Sequence, residues 1–175
     1  MPSTPQLAHA GIYVRDVDAM TRFYTRVFGM QLTDKGIGRT FKVPLHFLSG
    51  TADQHHQLVL AGGRAADTPS TIMQLSFKVQ TIDDLRRVRA AALEEGAQQM
   101  RNLNHGNALS IYFADLEENT VEVYLDTPWY VPQPHGDPLD LTRPDEEIWA
   151  ETEAICRADP GFAPVADWMA RFASR

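Results

Sequence analysis

Apolar and polar positions alternate near the end of the first three quarters of the chain. Val121, Val123 and Leu125 interleave with Glu122, Tyr124 and Asp126. That period of two predicts a strand with one apolar face and one face carrying acids and a phenol. Just upstream, residues 108–113 are apolar and β-prone, and the polar run 115–119 is a turn signal, so a hairpin is expected. At the start of the chain, LAHAGIYV also has strand character, with Ile12 and Val14 on one face. The segment RDVDAMTRFYTRVFG then places Met20, Phe23, Tyr24, Val27 and Phe28 at helical spacing, with Asp16 or Asp18 to cap the start and Gly29 the end. Three short candidate strands follow before Gly63, around residues 30–34, 42–48 and 56–60.

After the polar stretch RAADTPS the pattern restarts. TIMQLSFKV is strand-like, TIDDLRRVRAAALEEG is helix-like with Asp83 near its start and Gly96 at its stop, and three strand candidates end in residues 120–125. Adding 65 to the residue number lays one half over the other: His9 falls on Gln74, Ile12 on Phe77, Asp18 on Asp83, Met20 on Leu85, Phe47 on Tyr112 and Gln57 on Glu122. The expected fold is therefore α+β: paired βαβββ modules, at about residues 7–63 and 70–128 of a single domain over 1–129, forming an open, cupped mixed β-sheet around a shared cleft. The duplication makes positions 9, 57, 74 and 122 candidates for that cleft.

Residues 130–175 form a C-terminal extension. Pro132, Pro134 and Pro138 exclude helix and central strand, so the first part reads as an extended connector. Residues 144–156 and 165–172 read as a helical tail, which could pack on its own sheet, on a second subunit, or over the cleft.

A formal charge of −7, with no Lys/Arg cluster, argues against a nucleic-acid partner, and the 43% hydrophobic content suits a packed core. The opening MPSTPQLAHAG has neither a basic segment nor an apolar signal core, and no run approaches the length of a membrane span, so a cytoplasmic location and no membrane partner are expected. The single cysteine, Cys156, leaves no intramolecular disulfide and no thiolate zinc site; a metal would need His, Gln or carboxylate ligands.

Three segments, HAGIYVRDVDAMTRFYTRVFGM, HHQLVLAGG and HGNALSIYFADLEENTVEVYLD, make residues 7–129 resemble the vicinal oxygen chelate superfamily of glyoxalase I, type I extradiol dioxygenases and fosfomycin or bleomycin resistance proteins. The closing hairpin is most similar to the extradiol ring-cleavage enzymes, with Tyr112 ten residues before Glu122 and His105 just upstream. The resemblance implies a divalent metal held by His9, Gln74 and Glu122, with iron(II) favoured and manganese, nickel or zinc as alternatives. Gln74 departs from the two-His, one-carboxylate set typical of iron oxygenases. A buried Glu122 would also need a positive partner, which a metal supplies.

The resemblance further implies that His56, at the head of His56-Gln57-Leu58-Val59-Leu60-Ala61-Gly62-Gly63, moves a proton of the substrate hydroxyl. The internal repeat instead sets Gln57 on Glu122, which makes Gln57 a possible fourth ligand. Tyr112 is either a donor to substrate or dioxygen or a core aromatic. His105 is a pocket wall, a second acid, or a loop surface residue. Residues 115–119 depart from the family's Asp-Pro-x-Gly-Asn turn, with Leu116 and Glu118 where Pro and Gly are common, and this turn is expected to be remote from the chemistry. The expected function is a metal-dependent extradiol dioxygenase acting on a catechol-like aromatic with O2, as a homodimer. The alternatives are a glyoxalase-like lyase or isomerase, and a metal-poor protein that binds a small molecule as bleomycin resistance proteins do.

Overall fold

The computed structural model describes residues 5–173. Residues 1–4, part of the stretch read as lacking a leader, lie outside the described residues. The first unit runs β1 (Ala10–Val14), α1 (Val17–Phe28), β2 (Gln31–Ile37), β3 (Pro44–Ser49) and β4 (Leu58–Gly62). The second repeats it as β5 (Leu75–Lys78), α2 (Ile82–Glu94), β6 (Gln98–Asn104), β7 (Ala108–Ala114) and β8 (Thr120–Asp126). The extension adds β9 (Trp129–Tyr130), β10 (Asp137–Pro138), α3 (Asp145–Ala158), β11 (Ala163–Pro164) and α4 (Val165–Ala173). The fold is α+β, with two mixed sheets ordered β1-β4-β3-β2 and β10-β6-β7-β8-β5. In each, the first strand of the unit pairs in parallel with the last, and the other pairs are antiparallel.

Helix α1 forms where the sequence calls for it: the Asp16 carboxylate accepts from the Ala19 amide, and Gly29 ends the helix at φ +69°, where a side chain would be strained. For α2 the cap is the Thr81 hydroxyl rather than Asp83, because Thr81 Oγ1 is the group that accepts from the Asp84 amide. Each helix lays its apolar stripe on the inner face of its own sheet. Met20, Phe23, Tyr24 and Val27 bury from α1; Ile82, Leu85, Val88 and Ala92 bury from α2. The two units meet through Phe28 of α1, stacked on Phe77 of β5 at a centroid distance of 4.0 Å, and through Phe23 against Phe113 at 6.3 Å.

A second seam between the units is polar. The turn 115–119 carries three buried groups, Asp115, Glu117 and Asn119. Glu117 accepts from the backbone amides of Arg15 and Asp16 at 2.7 Å and faces the Arg64 guanidinium at 3.4 Å; their side chains are 6% and 7% exposed. Asp115 accepts from Tyr24 Oη at 2.9 Å, and Asn119 from Ser70 Oγ at 2.6 Å. Glu118 takes φ +67°, a conformation that favours Gly, so the departure from Gly in this turn carries backbone strain.

The extension packs on its own chain. Strand β10 pairs with β6 at the edge of the second sheet, where a proline without an amide hydrogen is tolerated. Ile148, Leu139 and Leu141 join the main core, while β9 pairs with β11 to carry α4.

Candidate functional site

The second sheet turns Leu109, Ile111, Phe113, Val121, Val123 and Leu125 into the core, so the alternate residues stand on its opposite face. Glu122 lies at the centre of that face, 7% exposed, directly across from Ser76 on β5 and from Tyr112 on β7. Its Oε2 accepts from Gln74 Nε2 at 2.6 Å and from Ser76 Oγ at 2.7 Å. Its Oε1 accepts from Ser110 Oγ at 3.0 Å and makes a short hydrogen bond with Tyr112 Oη. The positive partner expected for a buried carboxylate is thus replaced by four neutral donors, about as many as a carboxylate can accept. Burial, and then the bond to Glu122, push the Tyr112 phenol well above its ordinary 10.0. Tyr112 also contacts His105 Nε2 at 2.9 Å, and the Arg101 guanidinium lies 5.1 Å from its ring centre.

His9 and Gln74 both line a cleft of about 900 Å³ between the units, walled by Phe28, Met30, Phe77 and Val88. The ring neighbour of His9 is His56, at a centroid distance of 4.4 Å. His56 also touches Phe47, and its Nδ1 is 2.9 Å from Nδ1 of His55. Loss of water contact, then the neighbouring His9 and His55, lower the His56 pKa from 6.5. Gln57 lines the same cleft, but its Oε1 accepts from the Gly50 amide at 2.9 Å.

The seven sequence-derived residues therefore fall into two groups. Gln74, Tyr112, His105 and Glu122 form one hydrogen-bonded set, while His9, His56 and Gln57 belong to the first unit. Strand register corrects the repeat at one point. Ala10 pairs with Leu58, whereas Leu75 pairs with Val121, so the second unit is two residues shorter there and the counterpart of Glu122 is Val59, not Gln57. Gly11, Phe47 and Val59 of the first unit occupy the places of Ser76, Tyr112 and Glu122, which leaves one carboxylate cradle rather than two. Ser76 and Ser110 escaped the sequence reading. Each lies two residues from a named candidate, on the same strand face, which is the signal that would have found them.

As a cation site, the donor chemistry fits in part. Glu122 is the anionic oxygen donor, but both its oxygens are engaged by hydrogen bonds and Gln74 faces it with Nε2, so a cation would displace these donors and use the Gln74 oxygen; the His9 imidazole lines the cleft beside Gln74. Among the described residues, no group of three or more His, Cys, Asp or Glu is arranged to hold a metal; a set that includes Gln74 lies outside that description.

Paired βαβββ units, each with its own mixed sheet and its first strand parallel to its last, define the class of fold. The chain belongs to the Glyoxalase/Bleomycin resistance protein/Dioxygenase superfamily, whose family model matches residues 6–123. It is similar to biphenyl-2,3-diol 1,2-dioxygenase 3 of Rhodococcus globerulus, 27% identical over 132 residues that cover 72% of this chain and 66% of that enzyme. Biphenyl-2,3-diol 1,2-dioxygenase 2 of the same organism is 24% identical over 131 residues, covering 72% and 65%. The chain thus spans just under two thirds of the length of these relatives. Among solved structures, a glyoxylase/bleomycin resistance protein/dioxygenase domain from Frankia sp. EAN1pec superposes with a TM-score of 0.59 at 22% identity, covering 71% of this chain and all of that one. The fosfomycin resistance protein FosX from Mesorhizobium loti gives 0.56 at 22% identity, covering 71% and 94%. These likenesses carry the fold.

Proposed function

We propose that this chain is a metal-dependent enzyme of the extradiol ring-cleavage type, acting on a catechol-like aromatic with dioxygen. The observation that carries the reading is the hydrogen-bonded series His105, Tyr112, Glu122, in which a buried carboxylate stands ten residues after a phenol that is itself backed by an imidazole. The likeness to two biphenyl-2,3-diol dioxygenases supports it. Glu122 and Gln74, with His9 from the cleft, would hold a divalent cation, iron(II) or else manganese, nickel or zinc. Such a cation supplies Lewis acidity and, when redox-active, access to dioxygen.

The chain's own residues do the rest. The cleft beside His9 and Gln74, with its walls Phe28, Met30 and Phe77, would give a flat ring an apolar bed. His56, its pKa lowered, is neutral at pH 7 and can accept a proton from a substrate hydroxyl. Tyr112, held neutral, offers its O–H to a developing negative oxygen. The test is a catechol panel with iron-loaded protein: ring cleavage by the natural chain, lost in Glu122→Ala, is the expected result.

One observation favours a second reading. Gln74 presents a neutral amide where a second imidazole would suit iron, which fits a glyoxalase-like lyase or isomerase using the cation as Lewis acid only. Thiol hemiacetal turnover without ring cleavage would select it. Capture of a small aromatic without turnover or metal would select the bleomycin-resistance-like binding protein.

We further infer a homodimer. Leu7, Tyr13, Ile37, Phe41 and Met73 are 95%, 53%, 66%, 67% and 82% exposed, apolar side chains that a second copy could cover. A cytoplasmic place of action is part of the same proposal. No helix among the described residues is long and apolar enough to cross a membrane.

A further inference from the structure

The C-terminal extension reaches the site through one loop, residues 104–107. Asn104, 2% exposed, donates from Nδ2 to Thr152 Oγ1 of α3 at 2.8 Å and accepts at Oδ1 from the Gly106 amide at 2.9 Å. Gly106 sits at φ +71°, and a Cβ there would stand 2.5 Å from Val131 Cγ2 and 3.2 Å from Cys156 Sγ, so loop and extension fit together only without a side chain. From the connector, Gln133 Nε2 donates to the His105 carbonyl at 2.9 Å and to Asn107 Oδ1 at 3.2 Å. The backbone on either side of His105 is therefore tied to α3 and to residues 131–133.

The same connector touches the imidazole. Nδ1 of His105 is 2.6 Å from the carbonyl oxygen of His135, and Nε2 is 2.9 Å from Tyr112 Oη. A carbonyl oxygen can only accept, so Nδ1 must carry the hydrogen. In a neutral ring Nε2 then holds a lone pair, the reverse of the arrangement free histidine prefers, because the bond at one ring nitrogen decides the state of the other. The Tyr112 hydroxyl thus faces two acceptors, Glu122 and Nε2, with one hydrogen to give.

We propose that the extension is a tautomer lock: the His135 carbonyl, with the His105 loop held against it through Gln133 and Thr152, keeps the hydrogen on His105 Nδ1 and turns a bare Nε2 toward Tyr112. Gln133, His135 and Thr152 are positioning residues, acting through His105. The catalytic consequence rests on the ring-cleavage reading, in which Tyr112 is a donor: a bare Nε2 leaves the contact between the two a single hydrogen, the one on Tyr112 Oη, and an Nε2–H would add a second. The geometry itself stands apart from that reading.

The test is long-range proton–nitrogen correlation NMR of the full chain labelled with nitrogen-15 histidine, the His105 ring being assigned by its absence in His105→Gln. The natural chain is expected to show a single Nδ1–H ring. An Nε2–H ring overturns the proposal whether or not catechols are cleaved, while an Nδ1–H ring without ring cleavage leaves it standing and removes only the dioxygenase reading. Thr152→Val deprives Asn104 of its acceptor and is expected to release His105 into exchange between both tautomers, whereas Thr152→Ser keeps the hydroxyl and the single tautomer. Gln133→Leu gives the same readout from the other side of the loop should Thr152→Val fail to fold. A folded Thr152→Val or Gln133→Leu chain that keeps the pure Nδ1–H ring shows that the extension is not the lock.

Discussion

Gln74 donates from its side-chain nitrogen to Glu122 at 2.6 Å, joining the residue before β5 to the middle of β8 across a parallel strand pair. With the nitrogen turned to the carboxylate, the amide oxygen is the atom left for another partner. This one bond brings together two of the four residues named as metal ligands and leaves His9 and Gln57 on the first unit.

The proposed metal binding is testable at that placement. The purified chain is expected to retain a divalent first-row metal after reconstitution, measured by elemental analysis. Glu122→Ala removes the only charged ligand and should lose it, His9→Ala should weaken it, and Gln74→His should raise retention of iron(II) by restoring two imidazoles and one carboxylate. Equal metal content in Glu122→Ala and the natural chain would contradict the assignment.

The polar seam between the units predicts a stability effect far from that site. Glu117→Ala leaves the Arg64 guanidinium buried without its carboxylate and strips the Arg15 and Asp16 amides of their acceptor. Breaking one side of such a buried pair costs about 3–5 kcal/mol. Urea unfolding followed by circular dichroism should show a loss of that order, and a change under about 1 kcal/mol, the range of an exposed pair, would mean that the seam is solvated.

Tyr112 gives a pH signature in the metal-free protein. Its folded pKa is raised above the 10.0 of an ordinary phenol, by burial first and by Glu122 second, so the native state holds the proton longer than the unfolded chain. The stability it contributes is complete below pH 10 and is lost as pH rises through the folded value. In Tyr112→Phe that alkaline loss should be smaller, as read by thermal unfolding between neutral pH and pH 11. An unchanged slope would place Tyr112 in water.

Light scattering at micromolar concentration is expected to give twice the mass of one chain. Substituting Ile37 and Phe41 with charged residues should halve it if those exposed side chains lie in the contact. A single chain's mass for the natural protein would end the dimer proposal.

Much of the fold could be read from periodicity. The Asp16 cap, the Gly29 stop and the helical spacing of Met20, Phe23, Tyr24 and Val27 are local signals, and each reappears in the structure with its hydrogen bond or burial. Partners across strands were less legible. Ser76 and Ser110 become ligands of the Glu122 carboxylate only once register is fixed, and a two-residue difference in unit length moved the counterpart of Glu122 from Gln57 to Val59. The turn 115–119 read as an ordinary hairpin end, because the groups that make it a seam, Arg15, Tyr24 and Arg64, are 53 or more positions away. The extension could not be placed at all from its helical spacing. Its anchor is Thr152, a polar residue on an otherwise apolar helix face, and its partner Asn104 belongs to another element.

The central claim, ring cleavage with dioxygen at the Glu122 site, is tested most directly by isotope. Iron-loaded protein given a catechol under oxygen-18 gas is predicted to yield an opened ring carrying both labelled atoms, with Glu122→Ala giving none. Intact catechol, or a product whose new oxygen comes from water, would contradict the account.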